Sequence, residues 1–370
     1  MWLSRAPWFQ NSFTVALPSV FLRLRNRLLA NPKFLSAVQS FPLTRPIARA
    51  RSLELFDLLA GFSYSQVLYA CVSLHIFEHV GPAGIAPCVL AAKLGLSEPR
   101  ALTLIRAAVA LDLLGWDKGK VIWGPHGAAL MAQPWIMRFV EHHRLFYRDL
   151  EDPVGILQGK KSAGELPSYW AYEQGESDKR AYSELMAASQ TAVAQQIISS
   201  YDFTHHKNIL DVGGGTGVFL RAVGQRYPKI NLSLFDLEGV VKLASSQPGL
   251  QCHGGDFRSD PLPQGKDLIS LIRVVHDHDD DVVLAILGNI RSVCSPRTTL
   301  LIAEPFAGDV ATAKVTDAYF NLYFAAMGQG RTRKPAEIAA IAAKAGFGKL
   351  KVWPTHMPLI SGILTLHPNL

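Results

Sequence analysis

The 370-residue chain is 49% apolar and 18% charged, a composition that suits a well-buried globular protein of two or three domains and excludes general disorder. Its 37 Lys and Arg outnumber 30 Asp and Glu, but the excess is local: residues 1–51 carry Arg5, Arg23, Arg25, Arg27, Lys33, Arg45, Arg49 and Arg51 and no acid. The rest is close to neutral, which argues against a globally basic nucleic-acid binder.

Cys71, Cys88, Cys252 and Cys294 lie far apart with no C-x-x-C, so neither a disulfide framework nor a zinc knuckle is supported and a reducing, cytosolic compartment fits. Pro18 and Arg23 bracket the longest N-terminal apolar run, so no segment spanning a bilayer is expected. In chain order, 1–51 form a basic arm. Ser52 to Val80 reads as a long amphipathic helix with Leu55, Leu58, Leu59, Phe62, Val67 and Leu68 at helical spacing, stopped by Gly81-Pro82. A helix from Ile85 to Leu94, a second opened by Ser97, Glu98 and Pro99 and running to Leu114, and a hairpin over Trp116 to Trp123 give the order of a winged helix. A DNA reader would present polar and basic side chains on that second helix. Here it carries Ala101, Leu102, Leu104, Ile105, Ala107, Ala108, Val109 and Leu111 with only Arg100 and Arg106 basic, which favours packing or dimerisation over a DNA-binding regulator. A helical block follows from Pro134 to Ser200. From Tyr201 onward β-rich runs (Asn208 to Val212, Leu232 to Phe235, Asp267 to Val275, Thr298 to Ala303) alternate with helical stretches, the pattern of a parallel α/β sheet. The division expected is 1–51, 52–200 and 201–370.

The strongest motif is Ile209-Leu210-Asp211-Val212-Gly213-Gly214-Gly215-Thr216-Gly217, an apolar strand entering a glycine turn that opens a helix. Glycines there let backbone approach a ligand at the carboxyl end of the first strand. A dinucleotide fingerprint would need a glycine where Val218 stands. Asp236 ends the next strand, where an acid can accept bonds from both ribose hydroxyls. Gly254-Gly255-Asp256-Phe257 follows the third strand and offers a carboxylate for an exocyclic amine and an aromatic face for a purine. Arg273-Val274-Val275-His276-Asp277-His278-Asp279 follows the fourth. His276 leaves strand four and Glu304 leaves strand five, so their side chains can meet at the ligand crevice. A carboxylate on one imidazole nitrogen would fix the tautomer and leave the other free to take a proton. The run His276 to Asp281 also has the residue types of a metal cluster, but Asp280 and Asp281 fit better as the opening of a helix over Val282 to Ile290, and no metal is expected.

These motifs in this order resemble the class I S-adenosylmethionine-dependent methyltransferases, specifically the small-molecule O-methyltransferases with a helical dimerisation domain, over about Ser52 to Phe347. The resemblance implies a Rossmann-like α/β domain with a mostly parallel seven-stranded sheet, preceded by a winged-helix-like domain, and a homodimer. It places Gly213 and Gly215 at the methionine part, Asp236 at the ribose, Gly255, Asp256 and Phe257 at the adenine and Arg273 at the cofactor's polar periphery, with His276 as general base beside Glu304. Tyr172 and Gln190 would contact the cofactor and Met186 the substrate. A second glutamate common in the family falls on Thr332 here, and the usual Trp after His-Asp is His278.

Several stretches resemble one branch, the hydroxyneurosporene (demethylspheroidene) O-methyltransferases of carotenoid synthesis in purple photosynthetic bacteria: Pro42 to Arg49, Leu55 to Leu58, Ala60 to Phe62, Tyr64 to Val67, Met186 to Gln190 and His276 to Asp279. The branch implies methylation of the tertiary 1-hydroxyl of an acyclic carotenoid. Phe320, Tyr323 and Met327, with Tyr319 and Phe324, and a second set with Trp135, Met137, Phe139, Phe146 and Tyr147, could line a long apolar channel, or could be helix core. A related activity on a lipophilic substrate, such as bacteriochlorophyll C-20 methylation, is the alternative. Trp2, Trp8, Phe9, Phe13, Phe21, Leu22, Leu24, Leu28 and Leu29 interleave with Arg23, Arg25 and Arg27, so the arm is expected to lie on the anionic cytoplasmic membrane surface, against the readings of solubilising tail, targeting peptide or partner-packed helix.

Overall fold

A computed structural model of the chain describes residues 19–160, 164–170, 189–244, 249–308, 312 and 314–369. Trp2, Arg5, Trp8, Phe9, Phe13, Tyr172 and Met186 lie outside these. The chain divides into two compact units, residues 1–124 and 125–370.

In the first unit α1 (Ser19–Leu29) and α2 (Pro32–Ser40) precede α3 (Arg45–Ser73). Helix α3 starts earlier than the sequence spacing predicts, because Pro46 sits in its first turn, where a missing N–H and a fixed φ suit a helix start. It stops at Ser73, where His75 takes a left-handed φ of 50° before α4 (Ile76–Val80). Then come α5 (Pro87–Lys93), α6 (Glu98–Ala110) and the hairpin β1 (Leu114–Asp117) and β2 (Lys120–Trp123), the winged-helix order expected. Val72, Ile76, Phe77, Leu90, Ile105, Ala108 and Val121 are buried in it, and Trp123 Nε1 donates to the Phe77 carbonyl at 2.7 Å. Leu55, Phe56, Leu58, Leu59 and Phe62 stand exposed along α3. By length and composition α3 is also apolar enough to cross a membrane, because Gly61, Ser63, Ser65 and Gln66 interrupt its apolar run without charging it.

The second unit opens with α7 (Pro125–Met131), α8 (Pro134–Asp149), α9 (Pro153–Leu157) and α10 (Glu165–Trp170), and α11 covers 189–200. Seven strands follow: β3 (Asn208–Val212), β4 (Asn231–Asp236), β5 (Leu250–Gly254), β6 (Leu268–Ile272), β7 (Thr299–Glu304), β8 (Phe347–Trp353) and β9 (Gly362–Pro368). They form one sheet in the order β5-β4-β3-β6-β7-β9-β8, parallel except for β9 against its two neighbours. The central strands are mostly apolar and almost wholly buried because both faces are covered. Leu210, Val212, Ile269, Leu271, Leu300 and Ile302 face α14 (Asp280–Val293) and α16 (Pro335–Lys344), while Ile209, Leu268, Ile272 and Leu301 face α11 and α12 (Val218–Arg226). That is the two-residue alternation of a strand. α13 (Glu238–Ala244) and α15 (Asn321–Met327) complete the unit.

The domain boundary expected at residue 200 moves to 124. Phe146 of α8 and Leu166 of α10 pack in one core with Phe320, Tyr323 and Phe324, so this helical block belongs with the sheet. Asp149 at the end of α8 accepts the Glu165 and Leu166 N–H groups at 2.9 and 2.8 Å, starting α10 from a distance in sequence.

Candidate active site

The strand order reverses direction between β3 and β6, and in open α/β sheets ligands bind outside the carboxyl ends of the strands at that point. The glycine turn leaves β3 there. Gly213, Gly215 and Gly217 have φ of 70°, 59° and 77°, a region costly for other residues. A Cβ on Gly213 would stand 2.8 Å from Val274, and one on Gly214 would run into Asp211 and Leu234. The turn is tied to β4 by Gly213 N–H to the Phe235 carbonyl at 2.8 Å and by Gly215 N–H to Asp236 Oδ2 at 2.7 Å.

Three carboxylates border it in different states. Asp211 Oδ1 accepts Ser270 Oγ–H at 2.6 Å and its Oδ2 has no partner among the described residues; burial pushes the group up to about 7, with Asp236 adding to the rise. Asp236 also accepts its neighbour Leu237 N–H at 2.8 Å, and burial raises it despite those two bonds. Asp256 is gripped by the Arg258 guanidinium at 2.6 to 3.0 Å, which holds it below the usual carboxylate range. The free Asp256 carboxylate expected from sequence is therefore already engaged, and an amine must share it with Arg258. Gly255 is fixed by its N–H to the Asp236 carbonyl at 3.0 Å, and Phe257 meets His278 edge-on at 5.7 Å. An orphaned buried carboxylate oxygen beside a turn that tolerates no Cβ fits a cationic, nucleoside-type cofactor of the kind the resemblance implies.

At the end of β6 the chain turns sharply. Arg273 takes φ 57°, its N–H bonded to the Ala303 carbonyl at 2.8 Å, and Val275–Asp277 make one 3-10 turn. His276 is buried and stands 5.1 Å, ring to ring, from Phe324. Glu304 does meet His276, but through the main chain: Glu304 Oε2 accepts the His276 backbone N–H at 3.0 Å. The carboxylate near the ring is Asp277, whose Oδ1 lies 3.4 Å from His276 Nε2. Nδ1 has no partner among the described residues. Burial, then Arg273, His278 and Arg333, push the imidazole well below its ordinary value, so it is neutral at neutral pH. Burial also raises Asp277, and raises Glu304 to about 8. No group of three His, Cys, Asp or Glu among the described residues is placed to hold a metal ion; Asp279 accepts Gly330 N–H and Asp280 pairs with Arg331 and Arg333.

Beside His276 lies an aromatic wall. Phe320, Tyr323 and Met327 are buried with Phe146, Leu166 and Phe324. Tyr323 O–H lies 2.7 Å from His142 Nε2. Tyr319 O–H lies 2.8 Å from His143 Nε2, whose other nitrogen bonds the Phe139 carbonyl, so the tyrosine is the donor. A cleft of about 570 Å³ opens against this wall, bordered by Phe324, Met327, Ile156, Leu157, Pro167 and Asp279. Met327 thus lines open space, whereas Phe320 and Tyr323 belong to the packed wall. Gln190 is half-buried in α11. Thr332, where a second acid was sought, donates its hydroxyl to Asn321 Oδ1 and the Thr316 carbonyl at 2.8 and 3.1 Å. Sequence reasoning missed Ser270, Asp277, Arg258 and Arg333. Ser270 alone carried a signal, as a hydroxyl amid the apolar run of β6.

The comparisons agree with this geometry. A family described as the O-methyltransferase domain matches residues 147–348. Demethylspheroidene O-methyltransferase of Rhodobacter capsulatus is 38% identical over 345 residues, covering 91% of this chain and 88% of the relative. The enzyme of the same name from Cereibacter sphaeroides is 38% identical over 357 residues, covering 93% and 94%. In fold the chain is similar to human N-acetylserotonin methyltransferase, solved in complex with SAM (TM-score 0.73, 22% identity, 87% of this chain and 98% of that one). It is also similar to the calicheamicin-biosynthesis methyltransferase CalO1 in an SAH-bound form (TM-score 0.75, 21% identity, 86% and 98%). With glycine turn, carboxylates and buried histidine gathered at the switch point of a seven-stranded sheet, this chain belongs to the O-methyltransferase family.

Proposed function

We propose that this protein transfers a methyl group from S-adenosylmethionine to the tertiary 1-hydroxyl of an acyclic hydroxycarotenoid, giving a 1-methoxy product, with His276 as general base. The observation that carries the chemistry is a neutral, buried imidazole with one nitrogen unpartnered among the described residues, packed against the aromatic wall at Phe324. The demethylspheroidene enzymes, similar across nine-tenths of this chain, support the substrate class.

Asp211, Gly213, Gly215, Asp236, Gly255, Asp256, Phe257, Arg273 and Gln190 would hold the cofactor; the roles that the resemblance gives Tyr172 and Met186 fall outside the described residues. When bound, the cofactor supplies a methyl group already activated on a sulfonium centre. What remains for the chain is alignment and water exclusion, which for ideal geometries supply ~7–11 kcal/mol. A tertiary alcohol is too weak an acid to ionise beforehand, so His276 Nδ1 takes the hydroxyl proton as the oxygen–carbon bond forms. Asp277 stands at the far nitrogen, where it stabilises the imidazolium. Met327 and the Phe324 wall receive the polyene. Purified protein incubated with methyl-labelled cofactor and either hydroxycarotenoids or chlorophyllides tests this; label in the 1-methoxy carotenoid is expected, and label only in the chlorophyllide overturns it.

The exposed apolar face of α3 is read as the seat of a second copy of this chain, and the basic arm with α1 as a contact with the cytoplasmic membrane surface. Arg23, Arg25 and Arg27 beside exposed Phe21, Leu24 and Leu28 support the latter. Equal binding of full-length and arm-deleted protein to anionic vesicles would refute the arm's role, and a monomer by light scattering would refute the dimer.

A further inference from the structure

Arg333 has no exposed surface, an unusual condition for a guanidinium, since a buried charge is costly unless every donor is satisfied. Apart from a long contact of Nη1 with the Arg331 carbonyl at 3.4 Å, its donors go to one short piece of chain. Nη1 donates to the Val275 carbonyl at 2.9 Å, Nη2 to the His278 carbonyl at 2.7 Å, and Nε and Nη2 to Asp280 Oδ1 at 2.8 and 2.6 Å. The two carbonyls flank His276. From the same segment Arg331 N–H donates to the His276 carbonyl at 2.9 Å and Gly330 N–H to Asp279 Oδ1 at 2.9 Å. Residues 330–333 are therefore strapped along 275–280, and the guanidinium is the strap's buried clasp. A lysine offers a point charge and cannot reach three acceptors in one plane.

We propose that Arg333 is a positioning residue for the methyl transfer: its planar fork fixes the turn from Val275 to His278 and so sets where the His276 imidazole meets the substrate hydroxyl. This rests on His276 acting as the base. The charged and titratable groups around that imidazole are Arg273, Asp277 and His278 from its own turn, Glu304 from β7 and Arg333 from the strap. Losing the Arg333 charge removes one of the influences that keep the ring neutral, so the imidazole titrates higher.

The test compares Arg333→Lys, Arg333→Gln and Asp280→Asn with Arg331→Gln, whose side chain among the described residues meets only Asp280 and Glu337. Arg333→Lys is expected to lower kcat on the order of 10²-fold, as for a reacting group displaced by about 1 Å, with the cofactor Kd from calorimetry within threefold of the parent. Arg333→Gln additionally moves the acid limb of the kcat profile to higher pH, and Arg331→Gln leaves kcat within about threefold. A kcat within threefold of the parent in Arg333→Lys, or cofactor affinity lost in step with the rate, overturns the proposal. If both Arg333 variants fail to fold, Asp280→Asn, altered at the half-exposed end of the clasp, decides by the same criteria. The His276 titration, followed by NMR on histidine-labelled protein without substrate, is expected to rise in Arg333→Gln and stay put in Arg333→Lys. An unmoved titration in a folded Arg333→Gln refutes the influence of the Arg333 charge on the ring and leaves kcat in Arg333→Lys to decide the clasp, whereas failure of the parent protein to methylate any hydroxycarotenoid refutes the substrate reading alone.

Discussion

Asp211 stores stability that the fold gives up at neutral pH. It is 1% exposed, one oxygen satisfied by Ser270 and the other orphaned. A carboxyl held near 7 instead of 3.8 costs ~4 kcal/mol to ionise in place. Because the folded-state value is raised, the folded protein holds this proton more tightly than the unfolded chain. The contribution to stability is complete below about pH 3.8 and is lost as pH rises through 7. Asp211→Asn keeps an acceptor for Ser270 and carries no charge at any pH. Its stability advantage should therefore grow from ~1–2 kcal/mol at pH 5 to a ceiling of ~4 kcal/mol at pH 8. For a unit the size of residues 125–370 each kcal/mol is worth about 2–4 °C in Tm. The same change removes a charged acceptor from the proposed cofactor site, worth ~1.5–3 kcal/mol, so affinity should fall roughly 10- to 150-fold. Thermal unfolding from pH 5 to 8.5, paired with calorimetric titration of the cofactor, reads both. A Tm gain that does not depend on pH, or a cofactor Kd left unchanged, refutes the reasoning.

His276→Ala should bind cofactor normally and lose about 10²- to 10⁴-fold in kcat, the span typical of general-base assistance; near-parental turnover would remove His276 from that role. Since burial and Arg273 hold the imidazole well below 6.5, kcat should be flat through neutral pH and fall only on the acid side, and an acid limb centred at 6.5 or above contradicts the assignment. Gly330 has φ 81°, and a Cβ there would meet the His276 carbonyl and the Asp277 backbone. Gly330→Ala should destabilise by ~1–3 kcal/mol in urea and depress kcat more than cofactor affinity.

Much of this was legible in sequence because it rests on periodicity and on glycine. The apolar run in Ile209 to Val212 and the turn at Gly213 to Gly217 mark a strand end that needs glycine, and the winged-helix order followed from breakers at Gly81-Pro82 and Gly95. What escaped was partnership across distance. Glu304 and His276 were correctly brought to neighbouring strand ends, yet strand geometry alone does not say whether a carboxylate finds the ring or the backbone N–H. Arg258 neutralising Asp256 and Arg333 passing into the interior are side-chain outcomes that a loop sequence does not encode locally. The boundary at 124 was missed for the same reason: Phe146 and Leu166 show helical spacing, but only packing shows that their face meets Phe320 and Phe324.

The family's second glutamate, replaced here by Thr332, invites the expectation that restoring it strengthens the base. The surroundings argue the reverse. Thr332 is 4% exposed, and its hydroxyl points at two acceptors, Asn321 Oδ1 and the Thr316 carbonyl. A carboxyl introduced among acceptors with little access to water is favoured in its protonated form, so it adds no negative charge for an imidazolium. It also forfeits the hydrogen bond that the Thr332 hydroxyl shares between those two acceptors and crowds the site, for a loss of ~1–3 kcal/mol in stability. Asp277 already stands 3.4 Å from His276 Nε2; burial raises it to about 7, but an imidazolium formed beside it in the proposed mechanism favours its ionised form, and with an unactivated alcohol the rate depends on where the ring sits more than on how strongly it is polarised. Thr332→Glu should therefore lower Tm and leave kcat at pH 7 unchanged or reduced. A kcat gain of more than about threefold, with Tm preserved, would show that the missing acid does limit this base.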